Sequence, residues 1–360
     1  MDTLTHALSG ALAGRLLASR KGVAGAPPPP VWQAVAVGMA AATFPDVDFV
    51  LGFVSELTYL RGHRGVTHSL LLMPIWALLV AALMAGLFRL RRGREAPASW
   101  RAFYLIACAG IFIHILGDLI TQFGTMILAP FSDRRFGWGT TFIIDLGVTG
   151  IIVTGLLASA FWRRSRLPAG LALMALVGWV GLSAAARTDA IAFARAHAET
   201  NGIGIVSVDA VPRPASPFNW TAVVFDGERY HFAHINTRRR EPLRADDTDN
   251  FIRRLSAAYR PLPMAQWITR PVFGDADVTA LARQVWAEEQ FAFYRWFAMF
   301  PMLDQVEPAE GGSVCVNFVD LRFDTPGRAG APFRYGLCGG ATEGWKIFER
   351  VGGGRRWIGD

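Results

Sequence analysis

The chain has 360 residues, enough for two domains that each bury a core of their own. A hydrophobic fraction of 52% with positive mean hydropathy excludes an ordinary water-soluble protein. The net charge of +7 is nearly all arginine gathered at the ends of apolar runs, which membrane topology explains; with no basic stripe of interleaved aromatics, no nucleic-acid partner is expected.

In chain order, Thr3–Ser19 and Val31–Phe44 are two short apolar segments separated by Pro27-Pro28-Pro29-Pro30. They read as short crossings or as a re-entrant hairpin. Gly10 and Gly14 stand in the first at a spacing that lets another helix approach closely, or that is merely loose in an Ala/Gly-rich helix. Val66–Leu90, Ala102–Thr121, Phe142–Trp162 and Leu167–Arg187 each reach the roughly 20 apolar residues of a membrane span. The expected fold is therefore a membrane all-α bundle of about six segments over residues 1–188, followed by a soluble α+β domain over 189–360. Met1-Asp2-Thr3 lacks the basic start of a signal peptide, so no cleavage is expected.

Orientation follows from the arginines and lysines of the short connections. Arg15, Arg20, Lys21, Arg89, Arg91, Arg92, Arg94, Arg101, Arg163, Arg164 and Arg166 outnumber Arg61, Arg64, Arg134, Arg135 and Arg187 on the other side. The larger set belongs in the cytoplasm, which puts the C-terminal domain outside, in the periplasm of a bacterium. In that domain Gly204–Val211, Trp220–Phe225 and Tyr230–Asn236, with a turn at Asp226-Gly227, read as a β-meander. Asp249–Tyr259 and Asp277–Phe300 read as helices, and Val314–Phe323, Phe333–Leu337 and Trp345–Arg350 as further strands. Cys315 and Cys338 could pair in a periplasmic domain, although two reduced core cysteines are the default expectation. His197, His231 and His234 show no metal-ligand pattern.

Ionisable groups at membrane depth are costly and usually functional. His6 opens the first segment, and Asp46 and Asp48 close the second in Phe44-Pro45-Asp46-Val47-Asp48. His63 and His68 lie in Gly62-His63-Arg64-Gly65-Val66-Thr67-His68-Ser69, where the third helix should begin. His114 and Asp118 share one helical face near the end of the fourth. Threading the helices up and down brings all of them to one membrane face. Singly, each has an ordinary reading as an interfacial histidine or a solvated carboxylate; Asp145 reads as a helix N-cap before it reads as a ligand. Jointly they are what Zn²⁺ and similar cations require. Such a cation lowers the pKa of water and polarises a phosphoryl oxygen. Arg64 is placed to grip an anionic group such as phosphate.

These same motifs, together with Thr5-His6, His114-Ile115-Leu116-Gly117-Asp118 and Thr121…Gly124…Pro130, resemble the YdjM-like family of bacterial inner-membrane proteins assigned as metal-dependent hydrolases. The resemblance covers roughly the first third of the chain and implies hydrolysis without naming a substrate. A more distant similarity is to zinc-dependent phospholipase C and P1-type nucleases. It implies His6, Asp46, His68, His114 and Asp118 as metal ligands, with Asp48 and His63 as metal or proton-transfer partners. Those enzymes carry a second His-x-x-x-Asp pair that is missing here, so one or two ions are expected, zinc first.

The expected function is a membrane-bound metal-dependent hydrolase of a phosphoester, its substrate a phospholipid or a lipid-linked phosphate, with Asp48, His63 and Arg64 serving the chemistry. The rivals are a metal or proton transporter, whose polar groups would be spaced through the bilayer, and a membrane scaffold with a structural metal.

Overall fold

The computed structural model describes residues 1–18, 28–92, 99–309, 312–326, 330–340 and 344–358. Arg20, Lys21 and Arg94, counted above toward the cytoplasmic side, lie outside the described residues. The chain divides into two units, Met1–Ala184 and Ala185–Asp360.

In the first unit, α1 (Thr3–Leu17) starts at Asp2, whose carboxylate accepts the N–H of Thr5, a standard N-cap. α2 (Val31–Thr43) follows, and at Phe44-Pro45 it tightens into a 3₁₀ helix over Phe44–Phe53. Next come α3 (Glu56–Gly62), a 3₁₀ turn over Val66–His68, α4 (Met73–Arg92), α5 (Trp100–Leu119), α6 (Leu146–Phe161) and α7 (Leu167–Thr200). α1 is the central rod, in contact with α2, α5 and α6. Its glycines explain how it fits. A Cβ on Gly10 would lie 2.2 Å from the Gly38 carbonyl oxygen, one on Gly14 2.3 Å from that of Ala34, and one on Gly38 2.1 Å from that of Gly10. The Gly10/Gly14 spacing thus marks a real backbone-to-backbone seam between α1 and α2.

Among the described residues, four helices are long and apolar enough to cross a membrane: Val31–Phe53, Met73–Leu90, Trp100–Leu119 and Leu167–Thr200. The expected six are thus not all found. α6 is a shorter apolar helix, and α1, with 15 residues, keeps Ser9 and Arg15 buried among its neighbours. The third helix also begins later than its hydrophobicity suggests. Val66–Leu72 leads into the apolar run, but Ser69 turns its hydroxyl to the Ala129 carbonyl and the Leu70 N–H donates to Ile127, which keeps this stretch out of α4.

The sequence reading ended the last helix at Arg187, whereas α7 runs on to Thr200. The reason is a stripe at four-residue spacing: Ala186, Ala190, Ala194 and Ala198 pack on Ala210, Trp220, Ala222, Val224, Ala233 and Ile235 of a sheet. That sheet contains β1 (Ser207–Pro212), β2 (Asn219–Phe225) and β3 (Arg229–Asn236), the expected antiparallel meander. α8 (Phe251–Ala257) leads to β4 (Arg260–Pro261) and β5 (Trp267–Pro271), both paired with β3. The helix expected over 277–300 is broken into α9 (Thr279–Ala287), a 3₁₀ turn and α10 (Ala292–Phe297). A second antiparallel sheet runs in the order β10 (Gly354–Trp357), β9 (Lys346–Val351), β8 (Tyr335–Gly339), β7 (Val314–Asp320), β6 (Pro301–Pro308). Val211, Val223 and Phe232 form a core cluster with Met302, Val319 and Leu321 of the second sheet's region. The first sheet is therefore buried on both faces, as its alternation of Val223 with Ala222 and Val224 requires. Cys315 and Cys338 stand directly opposite on β7 and β8 and form a disulfide, against the default expectation of reduced thiols.

Candidate metal centre

Three kinds of element deliver the polar cluster. α1 supplies His6 from its first turn, and α5 supplies His114 and Asp118 one turn apart from its last. The 3₁₀ helix after α2 supplies Asp46 and Asp48, and the loop before α4 supplies His63, Arg64 and His68. His6, His68, His114 and Asp118 are at most 1% exposed, whereas Asp46 and His63 keep an exposed edge of 18% and 16%.

The tautomers can be read from the partners. The His114 Nδ1–H donates to the Ala42 carbonyl at 2.6 Å, one of the last carbonyls of α2 and so short of helical partners. The His68 Nδ1–H faces the Thr67 hydroxyl at 3.0 Å, and Thr67 in turn donates to Asp48 Oδ2 at 3.5 Å. Both imidazoles therefore turn a lone pair inward from Nε2, and these two atoms are only 3.0 Å apart. Two lone pairs at that separation repel unless a proton or a metal cation is shared between them.

Carboxylates complete the shell. Asp118 Oδ2 is 3.3 Å from His68 Nε2 and 3.5 Å from His114 Nε2. Asp46 Oδ1 is 3.8 and 3.6 Å from the same two atoms. A tetrahedral zinc site with bonds of about 2.0–2.2 Å has ligand-to-ligand edges of roughly 3.3–3.5 Å, and these four atoms scatter around that value. Asp118 Oδ2 is buried with no hydrogen-bond donor, as an atom reserved for a cation would be. Asp46, His68 and His114 make one group able to hold an ion, and His6, His114 and Asp118 a second. The residues present fit a divalent metal. His6 stacks on His114 with ring centroids 3.7 Å apart, and its Nε2 lies 3.2 Å from Asp118 Oδ1.

The remaining groups orient these. Arg64 NH2 reaches Asp118 Oδ1 at 2.8 Å, NH1 donates to Thr121 Oγ1 at 3.0 Å, and the guanidinium lies over the Phe123 ring. The Met1 amine meets the same Oδ1. With Oδ1 so held, Oδ2 is the free oxygen. Arg64 is 3% exposed, and in this structure its guanidinium turns inward to orient Asp118. Its backbone, at φ 60, lets the main-chain N–H reach Asp48 Oδ2 at 2.9 Å while the side chain turns inward. Asp48 Oδ1 accepts from His63 Nδ1 at 3.0 Å, so Asp48 serves His63, Arg64 and, through Thr67, His68. Thr3 donates to Asp46 Oδ2 at 2.7 Å, turning Oδ1 inward.

All eight candidate residues are thus brought together. Asp145 stands apart as the N-cap of α6, accepting from Val148 and from Trp179 Nε1. Sequence reasoning missed Thr3, Thr67, the Ala42 carbonyl and the role of Thr121. Of these only Thr67 carries a signal, a hydroxyl beside a ligand histidine. His231 and His234 lie on opposite faces of β3, hydrogen-bonded to Asp226 and to Thr221.

The profile of the YdjM inner membrane protein family matches residues 1–190. The chain belongs to that family. The YdjM match ends within α7, so it takes in every residue of the cluster. A relative is the uncharacterized protein YfhP of Bacillus subtilis (strain 168), 26% identical over 168 residues, which are 47% of this chain and 48% of YfhP. The chain thus spans about half the length of that relative. No solved structure matches.

Proposed function

We propose that this YdjM-family chain is a membrane-bound, metal-dependent hydrolase of a phosphoester, with zinc as the metal, in one or two ions. The observation that carries this reading is the facing pair of Nε2 atoms, 3.0 Å apart and flanked by two carboxylate oxygens. A bound divalent cation would supply a water of lowered pKa and a Lewis acid for a phosphoryl oxygen. Asp46, His68, His114 and Asp118 hold it, with His6 beside Asp118. His63 is the proton carrier: Asp48 fixes its Nδ1–H, which leaves Nε2 as the basic atom on a ring with an exposed edge.

A lipid substrate is favoured by the surroundings of Asp48. A cavity of about 510 Å³ beside Asp48 and Thr67 is lined by Val47, Val50, Leu51, Val66, Met126 and Pro130. Phe49 and Phe131, next in sequence to its walls, are exposed, as is Phe53 two residues beyond Leu51. Apolar walls and apolar surroundings suit a phospholipid or lipid-linked phosphate better than a soluble ester. The rival transport reading needs polar groups spaced through the bilayer, and this cluster is gathered at the ends of α1 and α5.

The orientation proposed is a cytoplasmic-membrane protein with residues 189–360 in the periplasm. The arginine distribution and the Cys315–Cys338 disulfide both support it.

The test is metal analysis of the full chain in detergent, followed by assay on phosphodiesters and phospholipids. Expected are stoichiometric metal and metal-dependent hydrolysis, both lost in His114→Ala and Asp118→Ala. Folded wild-type protein that binds no divalent metal overturns the proposal. Metal-loaded protein that hydrolyses no phosphoester overturns its enzymatic part.

A further inference from the structure

α1 carries His6 in its first turn and Arg15 in its last, about 13 Å apart along the helix. Arg15 therefore marks the end of α1 away from the metal centre. There a groove of about 650 Å³ runs between the first half of α2 and the last half of α6. Its walls are apolar, from Val31, Val35, Met39 and Leu156, and its polar members are Arg15, Ser159 and Arg163. Trp32 also lines it and is half exposed, as a side chain at the level of lipid headgroups would be.

Two observations indicate a ligand. First, Ser159 is 4% exposed and lines this groove, yet its hydroxyl is buried without a hydrogen-bond partner. An orphan hydroxyl at the edge of a bilayer is costly and calls for an acceptor from outside the chain. Second, the charge is of one sign. Arg15, 7% exposed, lines the groove and donates to the carbonyls of Arg163 and Ser165 at 2.8 and 2.7 Å. Arg163 adds a second cation at the exposed mouth. An apolar groove with two cations and a hydroxyl at one end matches an amphiphile with an anionic head. Basic pockets between membrane helices recognise anionic headgroups in this way, and the arginine-rich face of a membrane protein meets the anionic leaflet.

We propose that this groove binds one anionic phospholipid, its phosphate at Arg15, Ser159 and Arg163 and an acyl chain along Val35, Met39 and Leu156. The site is separate from the metal centre and does not depend on the hydrolase reading.

Native mass spectrometry of the full chain in detergent, titrated with phosphatidylglycerol, tests it. One lipid should bind in preference to phosphatidylcholine. Arg163→Gln should weaken binding about five-fold, the worth of one cation near a lipid surface. Ala160→Trp, which fills the groove from its rim, should abolish the preferred site, while Arg164→Gln, outside the lining, should leave it unchanged. Should Ala160→Trp fail to fold, Arg163→Gln against Arg164→Gln carries the test alone. Equal binding of the two lipids, equal effects of the two arginine substitutions, or displacement by glycerol 3-phosphate as readily as by phosphatidylglycerol would each overturn the assignment.

Discussion

His63 and His68 share Asp48 but differ in what surrounds them. His68 is fully buried and its Nε2 points into the cluster, whereas His63 stacks on Tyr59 and keeps an exposed edge. Their substitutions should therefore separate. His68→Ala should lose the metal. His63→Gln should keep it while turnover falls by roughly 10²–10⁴-fold, the usual worth of a general acid or base; metal content and kcat measured on one preparation decide this. Arg64 reaches both Asp118 and Thr121, a fork that lysine cannot copy. Arg64→Lys and Arg64→Gln should both weaken metal affinity about 10- to 100-fold, read by chelator competition. Outside the membrane unit, burial, helped by nearby Arg213, pushes the His234 imidazole down to about 3 from its ordinary 6.5. A folded-state pKa below the unfolded one means that the stabilisation is complete above pH 6.5 and is lost as pH falls toward 3. The loss should reach about 3 kcal/mol by pH 4, and denaturation curves of His234→Gln should show a flatter acid limb.

The clustered histidines and aspartates stand out in the sequence because ionisable groups are conspicuous in apolar runs. The groups that aim them are harder to see: Thr3 looks like an ordinary helix-start threonine, Thr67 is marked only by its place beside His68, and a backbone carbonyl such as that of Ala42 leaves no mark in a sequence. The contact of Arg64 with Asp118 was not legible either, since nothing in its neighbours in sequence shows a guanidinium turned inward.

At the scale of elements, glycine decides how α1 and α2 meet. Gly38→Ala places a methyl against the Gly10 carbonyl and should cost about 1–3 kcal/mol, seen as a lower Tm with loss of metal in parallel; an unchanged Tm would mean that the seam is looser than described. The disulfide closes a loop with a sequence separation of 23. Cys315→Ser should lower stability by about 3 kcal/mol, and a reductant should do the same to the wild type but not to the variant. Helix ends were harder to read than helix existence. Val66–Leu72 leads directly into an apolar run but is kept out of the helix by Ser69, and Ala186–Ala198 lacks the hydrophobicity of a span but is held as helix by the sheet it covers. β5 escaped notice because as an edge strand, with Thr269 and Arg270 exposed, it has no clean alternation.

For the molecule as a whole, the hydrophobicity of the sequence changes after residue 186, and the chain's two units divide at Ala184. The number of crossings was not legible, because a short helix such as α1 can be apolar through contact with other helices as well as with lipid. A C-terminal alkaline phosphatase fusion should be active, and an inactive fusion would invert the proposed topology.

Where Gly10, Gly14 and Gly38 meet, main chain rests on main chain, and no rotamer stands between the rod that bears His6 and the rod that leads into Asp46. Their spacing is set by the hard radii of peptide atoms alone. Side chains elsewhere can repack as lipid composition or temperature changes, but this gauge has no torsion to adjust. The separation of these two rods is thus held by backbone contact, with no side chain acting as a spacer between them.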